Sequence, residues 1–155
     1  MMSLSDLLSA NSVLGTLNAS NRKQAVQMLS EAAAAKLGLD SRIIFDAIME
    51  RERLGSTGVG DGVAIPHARL EGLDQVFGLF ARLKSPIDFD AIDGRPVDLV
   101  FLLLAPETSS TEHLKALARI SRVFRREDIR SHLRATDTRE GMTALLTLQA
   151  ESDAA

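Results

Sequence analysis

Apolar positions along the chain follow a helical period first, then a strand-like one, then a helical period again. Ala25, Val26, Met28, Leu29, Ala32 and Ala33 recur at helical spacing, with Ser20 or Asn21 placed to cap the element and Gly38 to close it. Asp40 is placed to cap a second helix with Ile43, Ile44, Ala47 and Ile48 on one face. Upstream, Ser3 to Asp6 has capping-box spacing before Leu7 and Leu8, and Val13–Leu17 reads as an edge strand. In the middle, Val76–Leu83 is apolar on both faces and is ended by Ser85-Pro86. Asp93-Gly94 is a turn signal between Ile87–Ile92 and Val97–Leu104, and the latter is the strongest buried-strand pattern in the chain, ended by Pro106. Ser109 and Glu112 form a capping box for a helix with Leu114, Leu117, Ala118, Ser121 and Phe124 on its inner face. Ile129 and Leu133 predict a short helix. Asp137 and Glu140 cap a last one with Met142, Leu145 and Leu146 inward, followed by a frayed tail, Glu151–Ala155. Helices before and after a central set of strands, without βαβ alternation, predict an α/β fold: a single-domain sandwich over residues 1–155, with a central mixed β-sheet flanked by helices.

One stretch stands apart from this pattern. Arg51-Glu-Arg-Leu-Gly-Ser-Thr-Gly-Val-Gly-Asp-Gly-Val-Ala-Ile-Pro-His67 places Gly55, Gly58, Gly60 and Gly62 within eight positions. Glycine at that density marks unusual backbone angles or close approach to the main chain. Val63-Ala64-Ile65 reads as a short buried strand stopped by Pro66, which holds His67 at a defined strand end.

Composition narrows the chemistry. A chain of 155 residues with net charge −3 offers no general attraction to nucleic acid or to an anionic membrane. With no cysteine, thiol catalysis and cysteine-rich zinc sites are excluded. No run is long and apolar enough to insert in a membrane, and the N-terminus lacks signal-peptide character, so a cytoplasmic location is expected.

Imidazole is a neutral nucleophile near pH 7 that also tolerates protonation there. Around His67 the stretch offers main-chain N–H groups from Gly55, Gly58, Gly60 and Gly62, the hydroxyls of Ser56 and Thr57, and the guanidinium of Arg51. That is equipment for phosphoryl transfer, which depends on positioning and charge stabilisation. A structural turn followed by a packed histidine accounts for the same residues equally well. His113, in the first turn of a helix, is a second candidate, placed where N–H groups and the positive dipole end favour an anion; an ordinary exposed polar residue is the alternative. The stretch lacks a Gly-Lys-Ser/Thr ending and is no nucleotide P-loop. His67, His113 and His132 match no zinc-ligand spacing, so no metal and no cofactor are expected. The arginines from Arg119 to Arg134 read as a solvated helical face in preference to a nucleic-acid surface.

The stretch Arg51–His67 resembles the active-site signature of the fructose/mannitol-type enzyme IIA domains of the bacterial phosphoenolpyruvate phosphotransferase system. The similarity continues through Pro86-Ile-Asp-Phe-Asp-Ala-Ile-Asp-Gly-Arg-Pro-Val-Asp-Leu-Val-Phe101 and Glu112-His-Leu-Lys-Ala-Leu117, and covers residues 4–148. The resemblance implies a mixed-sheet α/β sandwich in which His67 accepts a phosphoryl group on Nε2 from a phosphorylated HPr-like carrier. It matches Arg51 to the active-site arginine, His113 to the second active-site histidine, and Ser56 and Thr57 to the loop hydroxyls. Met49–Gly58 and the free-standing chain are closer to the nitrogen-regulatory branch, whose phosphorylation state governs regulatory targets in potassium transport or among sensor kinases. The sugar branch, which passes phosphate to an enzyme IIB domain, and a binding module without phosphorylation are the alternatives.

Overall fold

In the computed structural model, which describes residues 4–8, 10–108 and 110–154, strand propensity and burial meet most fully in one segment. This is the apolar Val97–Pro106, the strand β6 defined below. Its neighbours are set by the same pattern. The elements in order are α1 (Leu4–Leu7), a 3-10 turn at Ala10–Ser12, β1 (Val13–Leu17), α2 (Arg22–Leu37), α3 (Ser41–Leu54), β2 (Gly58–Gly60), β3 (Val63–Ala64), β4 (His67–Leu70), β5 (Phe77–Ile87), β6 (Val97–Pro106), α4 (Ser110–Arg125), α5 (Glu127–Ala135) and α6 (Arg139–Ala154). The six-stranded sheet runs β1-β5-β6-β3-β2, with β4 also paired to β6. β5 is antiparallel to β6, whereas β1 is parallel to β5 and both β3 and β4 are parallel to β6. The sheet is mixed, as the pattern predicts.

Alternation along the strands divides the core in two. Phe80, Leu99, Phe101 and Leu103 pack with residues of α1, α4, α5 and α6. Ala64, Leu79, Ala81, Val100, Leu102 and Leu104 pack with residues of α2 and α3. On the first side Phe124 of α4 meets the rings of Phe80 and Phe101 at centroid distances of 5.6 and 5.9 Å. Arg82 of β5 ties the sheet to the end of α5, donating to the carbonyls of Leu133, Arg134 and Thr136 at 3.3, 2.9 and 2.7 Å.

Pro66 interrupts the edge beside β6 without changing its register: Val63 stands opposite Leu99, and His67 stands opposite Leu103. The Leu103 N–H donates to the Pro66 carbonyl at 2.9 Å, so a missing proline N–H costs the ladder nothing on that side. His67 therefore begins a strand, where the sequence places it at the end of one.

Several expectations are corrected. β5 runs through Ser85-Pro86 to Ile87, because the pairing slips between Arg82 and Ile87 and leaves the proline at an exposed irregularity. The inner face of α4 is Ala116, Ile120, Val123 and Phe124, with Leu117 packed against it; Leu114 and Ala118 are exposed, and Ser121 is half-buried. Ile43 is exposed while Ile44 and Ile48 carry the buried face of α3. The cap of α6 is Thr138, whose hydroxyl accepts the Gly141 N–H at 3.0 Å, in place of Asp137. The helix continues through Ala154, where a frayed tail is expected. Asn21 caps α2 by accepting the Gln24 N–H at 2.8 Å, and Asp40 caps α3 by accepting the Arg42 N–H at 2.9 Å. Ser3 and Ser109, proposed as caps, lie outside the described residues.

Candidate functional site

β4 pairs with β6, no other strand among the described residues pairs with it, and residues of α3 and α4 meet beside it. A cavity of about 890 Å³ opens there, lined by Ala47, Glu50, Arg51 and Leu54 of α3, His67, Ala68 and Arg69 of β4, Glu107, and Ser110, His113 and Leu114 of α4. Strand alternation sends Ala68 and Leu70 into the core beneath α2 and α3, which leaves His67 and Arg69 on the opposite face. The His67 and His113 rings meet edge to face, with centroids 5.2 Å apart and planes inclined at 71°.

His67 Nδ1 lies 2.8 Å from the carbonyl oxygen of Ile65. A carbonyl only accepts, so Nδ1 carries the proton and Nε2 holds the free lone pair. Burial lowers the His67 pKa below its ordinary value; the Ile65 carbonyl opposes that shift, Arg51 adds to it, and Glu52 opposes it. For His113 burial is again the largest cause, followed by the charges of His67, Arg69 and Arg51, and the pKa is lowered to about 4. Both rings are neutral near pH 7. His113 Nε2 is buried without a hydrogen-bond partner among the described residues. Arg51 Nη1 donates to the Gly55 carbonyl at 2.8 Å, and Arg69 Nη1 donates to the Ser110 hydroxyl at 3.1 Å. Two guanidiniums and two neutral imidazoles thus share one cavity, an arrangement suited to a nucleophilic nitrogen facing a phosphoryl anion.

The structure brings His67, His113 and Arg51 together, as the sequence reading expects. It does not bring the glycine-rich stretch into the cavity: Gly55, Ser56, Thr57, Gly58, Gly60 and Gly62 are absent from its lining. The Ser56 hydroxyl donates to the Phe89 carbonyl and the Thr57 hydroxyl donates to the Glu52 carboxylate. Gly58 and Gly60 lie in β2, which pairs with β3 across the turn at Asp61-Gly62. A Cβ on Gly58 would stand 2.7 Å from that of Ala91, so glycine is needed there for close packing. Gly62 has φ +79, and a Cβ there would stand 2.3 Å from Arg134 Nη2. Arg134 fastens the turn by donating to the Asp61 carbonyl at 2.6 Å and pairing with Asp98 at 2.9 Å. The glycines build a hairpin. His132 is exposed and does not line the cavity.

Sequence reasoning missed Arg69, Ser110, Glu107 and Glu52. Arg69 was legible, since a residue two positions after His67 in a strand shares its face. The other three depend on tertiary placement.

The family model described as "Phosphoenolpyruvate-dependent sugar phosphotransferase system, EIIA 2" matches residues 6–148. The chain belongs to this enzyme IIA family. A nitrogen regulatory protein of Bradyrhizobium diazoefficiens is 49% identical to this enzyme IIA, over 95% of the chain and 96% of the relative. One of Klebsiella oxytoca is 40% identical, over 94% of the chain and 91% of the relative. The crystal structure of the nitrogen regulatory protein IIA-Ntr of Neisseria meningitidis superposes with a TM-score of 0.85 at 35% identity, covering 93% of the chain and 99% of that structure. These similarities place the enzyme IIA in the nitrogen-regulatory branch of a phosphotransfer family. Among the described residues no helix is long and apolar enough to cross a membrane.

Proposed function

We propose that His67 accepts a phosphoryl group on Nε2 from a phosphorylated HPr-like carrier, and that the phosphorylated and free forms differ in the regulatory targets they bind. The observation that carries this reading is the hydrogen bond from His67 Nδ1–H to the Ile65 carbonyl, which reserves Nε2 for chemistry. In the transfer, the bond between phosphorus and the donor nitrogen breaks as the bond to His67 Nε2 forms. The electron pair of the broken bond stays on the donor ring, which leaves neutral because its other nitrogen carries a proton. His67 then becomes the equivalent phosphorylated imidazolium, its Nδ1 proton still held by Ile65.

The loose transition state is served by groups already in place. Arg51 and Arg69 supply positive charge to the phosphoryl oxygens, and His113, neutral and with its buried Nε2 unpaired, stands ready to hydrogen-bond one of them. The glycine-rich stretch acts by holding the hairpin and the end of α3. Once in place, the group adds up to about two negative charges and three acceptor oxygens to an otherwise concave surface, enough to change which protein docks there. The targets belong to the potassium-transport or sensor-kinase type that the nitrogen-regulatory resemblance implies, and the protein works in the cytoplasm.

The test is incubation of the enzyme IIA with phosphoenolpyruvate, enzyme I and an HPr-like carrier. Acid-labile, base-stable phosphate is expected on the wild type and none on His67→Ala. Label persisting in His67→Ala contradicts the site, and no label on a folded wild type contradicts the reaction.

A further inference from the structure

Glu52 is the one acidic residue among the described residues that is fully buried, at 5% exposure. Taking a carboxylate out of water costs free energy unless it is paired and hydrogen-bonded, and here every partner is in place. Its Oε2 accepts the Thr57 hydroxyl, and its Oε1 accepts the Thr57 N–H at 3.3 Å. Oε1 also pairs with Arg22 at 3.5 Å. Arg22 is anchored in turn: it donates to the Phe89 carbonyl at 3.3 Å and lies over the Phe89 ring, 5.8 Å from its centroid.

Thr57 passes this order on. Its carbonyl accepts the Ile65 N–H at 2.9 Å, and the Ile65 carbonyl accepts His67 Nδ1–H at 2.8 Å. Both main-chain groups of Ile65 are therefore committed, one toward Glu52 through Thr57 and the other to the histidine. The Ile65 carbonyl belongs to the peptide with Pro66, which has no N–H to draw that peptide into another orientation. Arg51 and Glu52 are successive residues in the last turn of α3, one lining the cavity and the other turned into the protein.

We propose that Glu52, through Thr57 and Ile65, is the positioning residue that holds His67 in its Nδ1–H tautomer and so presents Nε2. The proposal rests on the reading of His67 as phosphoryl acceptor, but its structural half stands independently. A carboxylate accepts from both the hydroxyl and the N–H of Thr57 and pairs its charge with Arg22; an amide in its place loses that charge, and either meets the hydroxyl only by donating to it or turns its N–H₂ group against Arg22. Either way the order is weakened at its source, and the Ile65 peptide gains freedom to turn.

The test uses the full chain, labelled with ¹⁵N in its histidines, as wild type, Glu52→Gln, Thr57→Val and Thr57→Ser. Long-range ¹H–¹⁵N spectra of the unphosphorylated protein read the His67 tautomer. Wild type and Thr57→Ser are expected to show the Nδ1–H form alone. Glu52→Gln and Thr57→Val are expected to show a mixture with the Nε2–H form and to accept phosphate on the order of 10-fold more slowly, the usual scale for losing an outer orienting partner. A lowered melting temperature in both variants with the wild-type tautomer and rate retained would overturn the proposal and leave Glu52 a structural residue. Should Glu52→Gln fail to fold, the contrast between Thr57→Val and Thr57→Ser decides. If wild type accepts no phosphate at all, the functional reading fails while the tautomer comparison still judges Glu52.

Discussion

The rings of His67 and His113 stand edge to face at 5.2 Å, one fixed through Nδ1 to the Ile65 carbonyl and the other with its buried Nε2 unpaired among the described residues. Two histidines this close cannot both be charged without mutual repulsion, and burial with nearby guanidiniums keeps both neutral. One offers a lone pair and the other an unfilled hydrogen-bonding position.

The pKa of His113 lies at about 4 against an ordinary 6.5. As pH falls, the unfolded chain binds a proton near 6.5 that the folded protein refuses. The contribution of this histidine to stability is thus fully present above 6.5 and is lost between there and about 4. Urea midpoints should decline across that window, and His113→Asn should flatten the decline. Arg69→Gln removes one of the charges that depress the His113 pKa, so the His113 titration followed by NMR should move upward.

Arg51 presents a planar fork that a lysine cannot reproduce. Arg51→Lys keeps the charge but loses paired donors to phosphoryl oxygens, and phosphoryl acceptance should slow by on the order of 10²-fold, the cost of removing one such stabilising donor. Rapid-quench measurement of the transfer rate from the phosphorylated carrier checks this. A rate within twofold of wild type would leave Arg51 with no more than its bond to Gly55.

Phe124 closes the layer behind α4, between Phe80 and Phe101. Phe124→Ala should cost about 3–5 kcal/mol in denaturant unfolding, the usual range for emptying a buried aromatic site.

At Gly62, φ +79 and the approach of Arg134 both exclude a side chain. Gly62→Ala should destabilise the protein by about 1–2 kcal/mol from the left-handed backbone alone. It should also release the Arg134 clamp on the turn, visible as faster amide exchange at Asp61 and Gly62.

Much of this was legible in the sequence because local rules and tertiary structure agree. Asn21, Asp40 and Gly38 bound their helices as their chemistry requires, and the apolar run from Val97 is the buried strand it resembles. Arg51 and His113 were legible as candidates from the glycine-rich stretch and from a helix start, and the family signature joined them to His67 in one site, since no spacing rule brings α3, β4 and α4 together. What stayed hidden depends on partners far apart in sequence. Pro86 reads as a breaker, yet the slipped register between β5 and β6 accommodates it. Leu114 and Ala118 read as core, yet α4 is rotated so that Ala116 and Ile120 face the sheet, and Leu114 lies at the cavity. The hydroxyls of Ser56 and Thr57 read as phosphate ligands, yet Phe89 and Glu52 already engage them. Local pattern does not reveal which acceptor a hydroxyl will meet.

The central claim is that Nε2 of His67 takes the phosphoryl group, and the most direct measurement is a long-range ¹H–¹⁵N spectrum of ¹⁵N-histidine-labelled protein recorded before and after phosphorylation through the HPr-like carrier. The account predicts phosphorus coupling at the Nε2 resonance of His67, with Nδ1 still protonated and the His113 nitrogens uncoupled. Coupling at Nδ1 of His67, or at either nitrogen of His113, would contradict it.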